Sequence, residues 1–107
     1  MIYLTNVFSI GMIPLSKATI TMKEINLEEV KKLVSTESKI AVNHQSIADV
    51  LSYFLDEEIL PYRENIILTK DDSLIVFQLS VRLREGYHLS EQEMTNLPYK
   101  FYLIKIK

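Results

Sequence analysis

The chain of 107 residues has no cysteine, no tryptophan, two glycines, three prolines and two histidines. Without cysteine there is no disulfide, thiol nucleophile, iron–sulfur cluster or cysteine-type zinc site. Two histidines are too few for a histidine-rich metal centre within one chain. Hydrolytic chemistry therefore falls to histidine, carboxylates, hydroxyls and arginine. Glycine and proline are too scattered (Gly11, Gly86, Pro14, Pro61, Pro98) to form a linker, which fits one unit with short connections. Basic charge is not in excess either: 12 Lys and Arg stand against 14 Asp and Glu, a formal net charge of −2. Proteins that bind duplex nucleic acid normally carry a basic stripe, so no such partner is expected. A small phosphorylated ligand, which two or three arginines can hold, stays open. No apolar run reaches the ~18 residues that suggest a membrane span, and the N-terminus lacks the basic start of a signal peptide. The expectations are no membrane partner and a cytoplasmic location.

What is present reads as a globular protein, with 48% hydrophobic and 24% charged residues. A chain of this size can bury a core without staples, and residues 1–107 are expected to form a single domain. Residues 2–4 and 18–22 read as strands. Asn26 with Glu29 three positions on forms a capping-box pattern, and Leu27, Val30, Leu33 and Val34 follow at helical spacing. Residues 38–42 read as a further strand that delivers the chain to Asn43, His44, Gln45 and Ser46. The strongest helical signal comes next, with Ile47, Val50, Leu51 and Phe54 at i, i+3, i+4 and i+7. Asn43 or Ser46 is the expected cap, with His44 in or just before the first turn.

Residues 63–69 and 73–83 read as a hairpin around Lys70, Asp71 and Asp72. In the second arm Ile75, Phe77, Leu79, Val81 and Leu83 share one apolar face. Leu74, Val76, Gln78, Ser80 and Arg82 share the other, which turns polar toward its end. One face is expected on the core and the other against a ligand or second subunit near Arg82. Ser90 with Glu93 caps a short helix, and residues 99–106 form a closing strand. The fold class expected is α+β, a mixed sheet of about five strands with flanking helices.

His44 is the first candidate for chemistry. A polar residue at a helix start is commonly only a cap, yet first-turn N–H groups and the helix dipole also make a natural anion site. An imidazole there could act as a general acid or base beside a bound anion. Arg82 and Glu85 follow the polar-edged strand, where a solvated charged turn is the plain alternative. Arg63 after Pro61 and Tyr62 is no more specific alone, and His88 reads as a surface residue. No Walker or dinucleotide glycine loop exists, and Ser9 lacks a nucleophile-elbow context.

Taken in order, the pieces say more. Residues 4–10 (Leu-Thr-Asn-Val-Phe-Ser-Ile), Asn43-His44-Gln45-Ser46 before an amphipathic helix, and Arg63 opening the next segment come first. Val76-Phe77-Gln78-Leu79, Arg82-Leu83-Arg84-Glu85-Gly86, Leu89-Ser90 and Leu97-Pro98-Tyr99 follow. As a set covering nearly the whole chain, this resembles the viral and bacterial ring-nuclease family typified by the type III anti-CRISPR protein that destroys cyclic tetra-adenylate. The resemblance implies His44 as catalytic histidine, with Arg82 and Glu85 beside it. It implies Asn6, Ser9, Arg63 and Gln45 as substrate-binding residues. It further implies a homodimer with one cyclic tetra-adenylate across the two-fold axis, no cofactor, and no metal. The products would be linear di-adenylates ending in a 2′,3′-cyclic phosphate, which would switch off type III CRISPR signalling in the cytoplasm. The chain departs from the family's commonest histidine motif, where a glycine, an acid and a threonine stand at the positions of Asn43, Gln45 and Ile47. These departures keep two other readings in play: a binding protein that sequesters the ring uncut, and a structural homodimer.

Overall fold

A computed structural model describes residues 1–83 and 88–107. Its elements in chain order are β1 (Ile2–Thr5), a 3-10 turn (Ile10–Met12), β2 (Ile20–Ile25), α1 (Leu27–Leu33), β3 (Lys39–Ala41), α2 (Gln45–Leu55), β4 (Ser73–Leu79), α3 (Glu91–Thr95) and β5 (Tyr99–Ile106). The five strands form one mixed sheet in the order β2-β5-β4-β1-β3. β1 runs parallel to both β3 and β4, while β5 runs antiparallel to β4 and β2. The carboxyl ends of β1, β3 and β4 therefore open at the same edge. In sheets with parallel strands, that edge is where loops can build a ligand crevice.

Strand register assigns the two faces. Leu4, Ile75, Leu103 and Ile25 fall on one face, with Phe77 and Phe101 paired beside them. This face packs against Val30 of α1, the buried stripe Val50, Leu51, Phe54 and Leu55 of α2, and the partly buried Met94 of α3. All three helices thus cover one side. Phe54 anchors α2 through its ring, 4.3 Å centroid to centroid from Tyr99, and Phe77 lies 5.0 Å from Phe101. Such tilted ring pairs add to the burial they already provide.

The opposite face is covered only in part. Leu74, Ile104, Ile106 and Ala41 meet Ile13, Ile66 and Leu68, which come from irregular segments rather than helices. Beyond that small second core, Met22 and Gln78 are exposed and Val76 and Tyr102 only partly covered.

Both capping boxes form as the sequence pattern requires, with Asn26 accepting from the Glu29 N–H and Ser90 from the Glu93 N–H. The cap of α2 differs. His44 itself occupies the N-cap position in extended backbone and gives no side-chain capping hydrogen bond. Nor does the expected hairpin exist: residues 63–69 contain no strand. Both sides of β4 are already taken by β1 and β5, so its ladder has no room for a preceding arm. Residues 62–68 instead reach the body through Tyr62 N–H to Val42 O and Leu68 N–H to Met12 O, burying Ile66 and Leu68 beneath the sheet. The first residues of the second expected strand, Ala18 and Thr19, also fall outside β2, which runs on to Ile25.

Candidate functional site

The carboxyl ends of the three parallel strands bring three segments together. Asn6 follows β1, Asn43 and His44 follow β3, and Ser80 to Leu83 follow β4. Between them lies a cleft of about 840 Å³ lined by Asn6, His44, Ser46, Ile47, Arg82 and the run from Phe77 to Leu83. Its walls mix apolar side chains with a few polar groups, as small-molecule sites usually do. Helix α2 enters it by its N-terminus. Because the His44 ring is not used as a cap, its two nitrogens are left for other work, and the dipole of an eleven-residue helix favours an anion at this end. Arg82 is exposed at the rim and makes no hydrogen bond or ion pair with another described residue.

Rigid supports stand behind this arrangement. Ser52 on α2 accepts from the Ile59 N–H at 2.8 Å and lies 2.7 Å from the Ala48 carbonyl, tying the end of the helix to the chain that leaves it. Tyr53 and Thr95 join α2 to α3 through hydroxyls 2.6 Å apart. Asn6 Nδ2 donates to Asn43 Oδ1 at 3.0 Å, linking the end of β1 to the residue before His44.

The residues singled out in the sequence divide into three groups. His44, Asn6 and Arg82 share the cleft. Arg63 lines a neighbouring cleft of about 620 Å³ on the other side of Asn6, with Thr5, Asn43, Tyr62 and Asn65. Gln45 and Ser9 reach neither: Gln45 donates to Asp49 at 2.7 Å, and Ser9 caps the 3-10 turn by accepting from the Gly11 N–H. Glu85 and the neighbouring Gly86 lie outside the described residues. His88, read as a surface residue, is exposed, and its Nδ1 stands 3.7 Å from Asp49 Oδ2. Asn43, Tyr62, Asn65 and Gln78 were not singled out as site residues. The available signal was position: each falls within a few residues of a strand end or beside Arg63.

Among the described residues no group of three or more histidine, aspartate or glutamate side chains is placed to hold a metal ion. No described helix is long and apolar enough to cross a membrane.

The fold and its cleft define an α+β domain with helices on one side of a mixed five-stranded sheet and a crevice of mixed apolar and polar lining at the carboxyl ends of three parallel strands. The chain belongs to the STIV B116-like family, whose model matches residues 2–101. It is 32% identical over 108 residues to protein 26 of Sulfolobus islandicus filamentous virus (isolate Iceland/Hveragerdi), covering 99% of this chain and 92% of that one. Its fold is similar to that of B116 from Sulfolobus turreted icosahedral virus, with a TM-score of 0.85, 24% identity and 97% of each chain covered. These relatives are viral proteins.

Proposed function

We propose that this protein is a metal-independent ring nuclease that cleaves cyclic tetra-adenylate, and so switches off type III CRISPR signalling. The observation that carries the reading is the convergence of His44, at the head of α2, and the exposed Arg82 on one cleft. These are two of the residues that the ring-nuclease resemblance selects.

The substrate brings its own nucleophile. A ribose 2′-hydroxyl aligned in line with the adjacent phosphorus forms a new P–O2′ bond as the P–O5′ bond breaks. The 2′-hydroxyl proton leaves to water, and His44 delivers its own proton to the departing 5′-oxygen. Arg82 holds the phosphate and stabilises the charge that builds on its oxygens. Backbone dipoles at the start of α2 add to that field. Two such cuts would yield two linear di-adenylates ending in 2′,3′-cyclic phosphates.

The half-covered sheet face supports a homodimer in this reading. Helices cover one side of the sheet only, and beyond its small second core the other side keeps exposed apolar side chains. The exposed Met22 and Phe8 lie on that open face together with Gln78 and Asn6, which also line the His44 cleft. A second copy seated there would bring two clefts near one two-fold axis.

The positions of Gln45, Ser9 and Arg63 outside the His44 cleft favour one second reading, a protein that sequesters the ring without cutting it. One assay separates the two. Incubated with cyclic tetra-adenylate in EDTA, the protein should release products ending in 2′,3′-cyclic phosphate, and His44→Ala should lose about 10²- to 10⁴-fold in rate. Tight binding with the ring intact establishes sequestration instead. Neither binding nor cleavage rejects both.

A further inference from the structure

His44 stands at a gap between two ordered elements. The β1–β3 ladder ends at the pair Thr5 and Ala41, and α2 begins with the Ala48 N–H bonding to the His44 carbonyl at 3.0 Å. Val42, Asn43 and His44 lie between. Val42 is buried and its carbonyl accepts from the Tyr62 N–H at 2.7 Å, so that residue is held. Asn43 and His44 are both exposed, so packing does little for either. Nor does the His44 ring make a capping bond that would brace the turn. What crosses the gap is one side-chain bond, Asn6 Nδ2 to Asn43 Oδ1 at 3.0 Å. It runs from the residue just past β1 to the residue just before His44.

Both asparagines are suited to a tether. Asn43 does not owe its place to an unusual backbone angle, since Asp56 alone among the described non-glycine residues has positive φ. Ordinary backbone accepts almost any residue there, and what asparagine adds is its amide. Asn6 lines the His44 cleft, but its amide is turned inward: Oδ1 is buried and has no hydrogen-bond partner among the described residues. An oxygen without accessible surface cannot meet a ligand, and one of the two N–H donors on Nδ2 is spent on Asn43. Burying an acceptor unpaired is costly, so the amide gives up solvation to hold this position. A reacting group misplaced by about 1 Å can lose on the order of 10²-fold in rate. Support of this kind therefore counts most beside the residue that must meet the leaving oxygen.

We infer that the Asn6–Asn43 bridge is a positioning device for His44: it carries the β1–β3 register past the end of the ladder and fixes the backbone from which His44 meets the cleft. Asn6 is thereby a positioning residue rather than the substrate contact that the resemblance implies, and Asn43 gains a role. This deepens the nuclease reading and rests on it for what His44 does there, but the ordering of the His44 backbone is measurable without any cleavage.

The test uses the full chain, the variants Asn6→Ala, Asn43→Ala and their double, and Asn43→Asp, which keeps an oxygen for Asn6 to donate to. Backbone order parameters from ¹⁵N relaxation are read first. At His44 and Gln45 they should fall from about 0.85 toward about 0.6 in both single Ala variants, stay high in Asn43→Asp, and be unchanged at Val50 and Leu51 in all. In steady-state cleavage of cyclic tetra-adenylate, kcat should fall about tenfold or more in each single Ala variant, with KM within about twofold. The double variant should be no slower than the slower single one, because either truncation already breaks the bond. Unchanged order parameters in the Ala variants overturn the inference. So does additive loss in the double variant, or a raised KM with kcat intact in Asn6→Ala, which would make Asn6 a substrate contact. Should Asn6→Ala unfold, Asn43→Ala against Asn43→Asp decides alone, since Asn43 is exposed and its truncation spares the core. A parent protein that leaves the ring uncut loses the nuclease reading, and the order parameters still decide the bridge. One that cuts the ring equally well in every variant keeps the nuclease and loses the bridge.

Discussion

Gln45 Nε2 donates to Asp49 Oδ1 at 2.7 Å, one helical turn further along α2, and this bond turns the Gln45 side chain away from the His44 cleft. An i,i+4 amide–carboxylate pair on a helix surface is worth a few tenths of a kcal/mol, ~0.2–0.5. Gln45 therefore serves the helix, although it sits next to the proposed acid in sequence. The expected outcome for Gln45→Ala is a change of less than about threefold in cleavage of cyclic tetra-adenylate, beside the near-complete loss in His44→Ala. A large loss of rate in Gln45→Ala with α2 intact by circular dichroism would show that the side chain swings into the cleft with ligand bound.

Arg82 is expected to matter through geometry as well as charge. A guanidinium grips phosphate with two parallel N–H bonds, whereas an ammonium offers a point charge. Arg82→Lys should recover only part of the activity that Arg82→Ala loses, with the Ala variant slowed about 10²-fold or more. Steady-state kinetics check this, and a Lys variant equal to the parent protein would reduce Arg82 to long-range attraction.

The open sheet face predicts a concentration-dependent assembly. In a two-fold interface each substitution occurs twice, so one charge meets its own copy or an apolar partner on both sides. Met22, on the edge strand β2, is 66% exposed and lines the uncovered region together with Val76 and Tyr102. Met22→Glu should lower the sedimentation coefficient toward that of a monomer and remove the concentration dependence of the melting temperature that assembly gives the parent protein. Identical sedimentation of the parent protein and the variant would place any dimer contact elsewhere.

These predictions rest on parts of the molecule that were legible to different degrees. The helices declared themselves because capping boxes and a 3.6-residue stripe are local signals: Asn26 with Glu29, Ser90 with Glu93, and the Ile47 to Phe54 stripe all carry them. β5 was legible from alternation. Residues 63–69 were not, because Ile66 and Leu68 alternate like strand residues while their burial comes from covering a sheet face. Periodicity cannot tell a chain that joins a ladder from one that packs across it. The cleft was legible only as separate residues. His44 and Arg82 lie 38 positions apart, and it is the parallel pairing of β3 and β4 with β1 that brings their strand ends together. Such long-range pairing leaves no trace in local spacing. Asn43 was visible as a possible cap. Its bond to Asn6, which matters more here, crosses 37 residues and needed the sheet order.

Asp72 gives a pH dependence that can be signed. Partial burial would raise its carboxyl pKa, but the Thr69 N–H at 2.9 Å, the Thr69 hydroxyl at 3.0 Å and the N-terminal ammonium at 3.5 Å outweigh it. The net shift is below the ordinary 3.8. A lowered folded-state pKa means that the folded protein prefers the carboxylate. The resulting stability is fully present above the unfolded value and is lost as pH falls through the lower folded one. Urea unfolding midpoints should therefore drop below about pH 4 more steeply in the parent protein than in Asp72→Asn. Parallel curves for the two would show that Asp72 contributes nothing to the acid transition.

The C-terminus of α2 carries the one described non-glycine residue with positive φ, Asp56 at φ 56° and ψ 37°. Its N–H bonds to the Ser52 carbonyl, closing the helix in a left-handed cap. That conformation crowds Cβ against the following carbonyl for an L-residue and is free of the clash for glycine, the usual occupant of such caps. Asp56 also places a negative charge at the negative end of the helix dipole, an unfavourable arrangement. Both effects act in the same direction, and only the greater chain entropy of an unfolded glycine opposes them. Asp56→Gly should therefore stabilise the fold by about 0.5–1 kcal/mol, a rise of roughly 2–8 °C in Tm for a domain of this size. The substitution lies at the far end of α2 from His44, so cleavage should be unaffected within about twofold. A lower Tm would mean that the Asp56 side chain makes a stabilising contact stronger than the conformational strain.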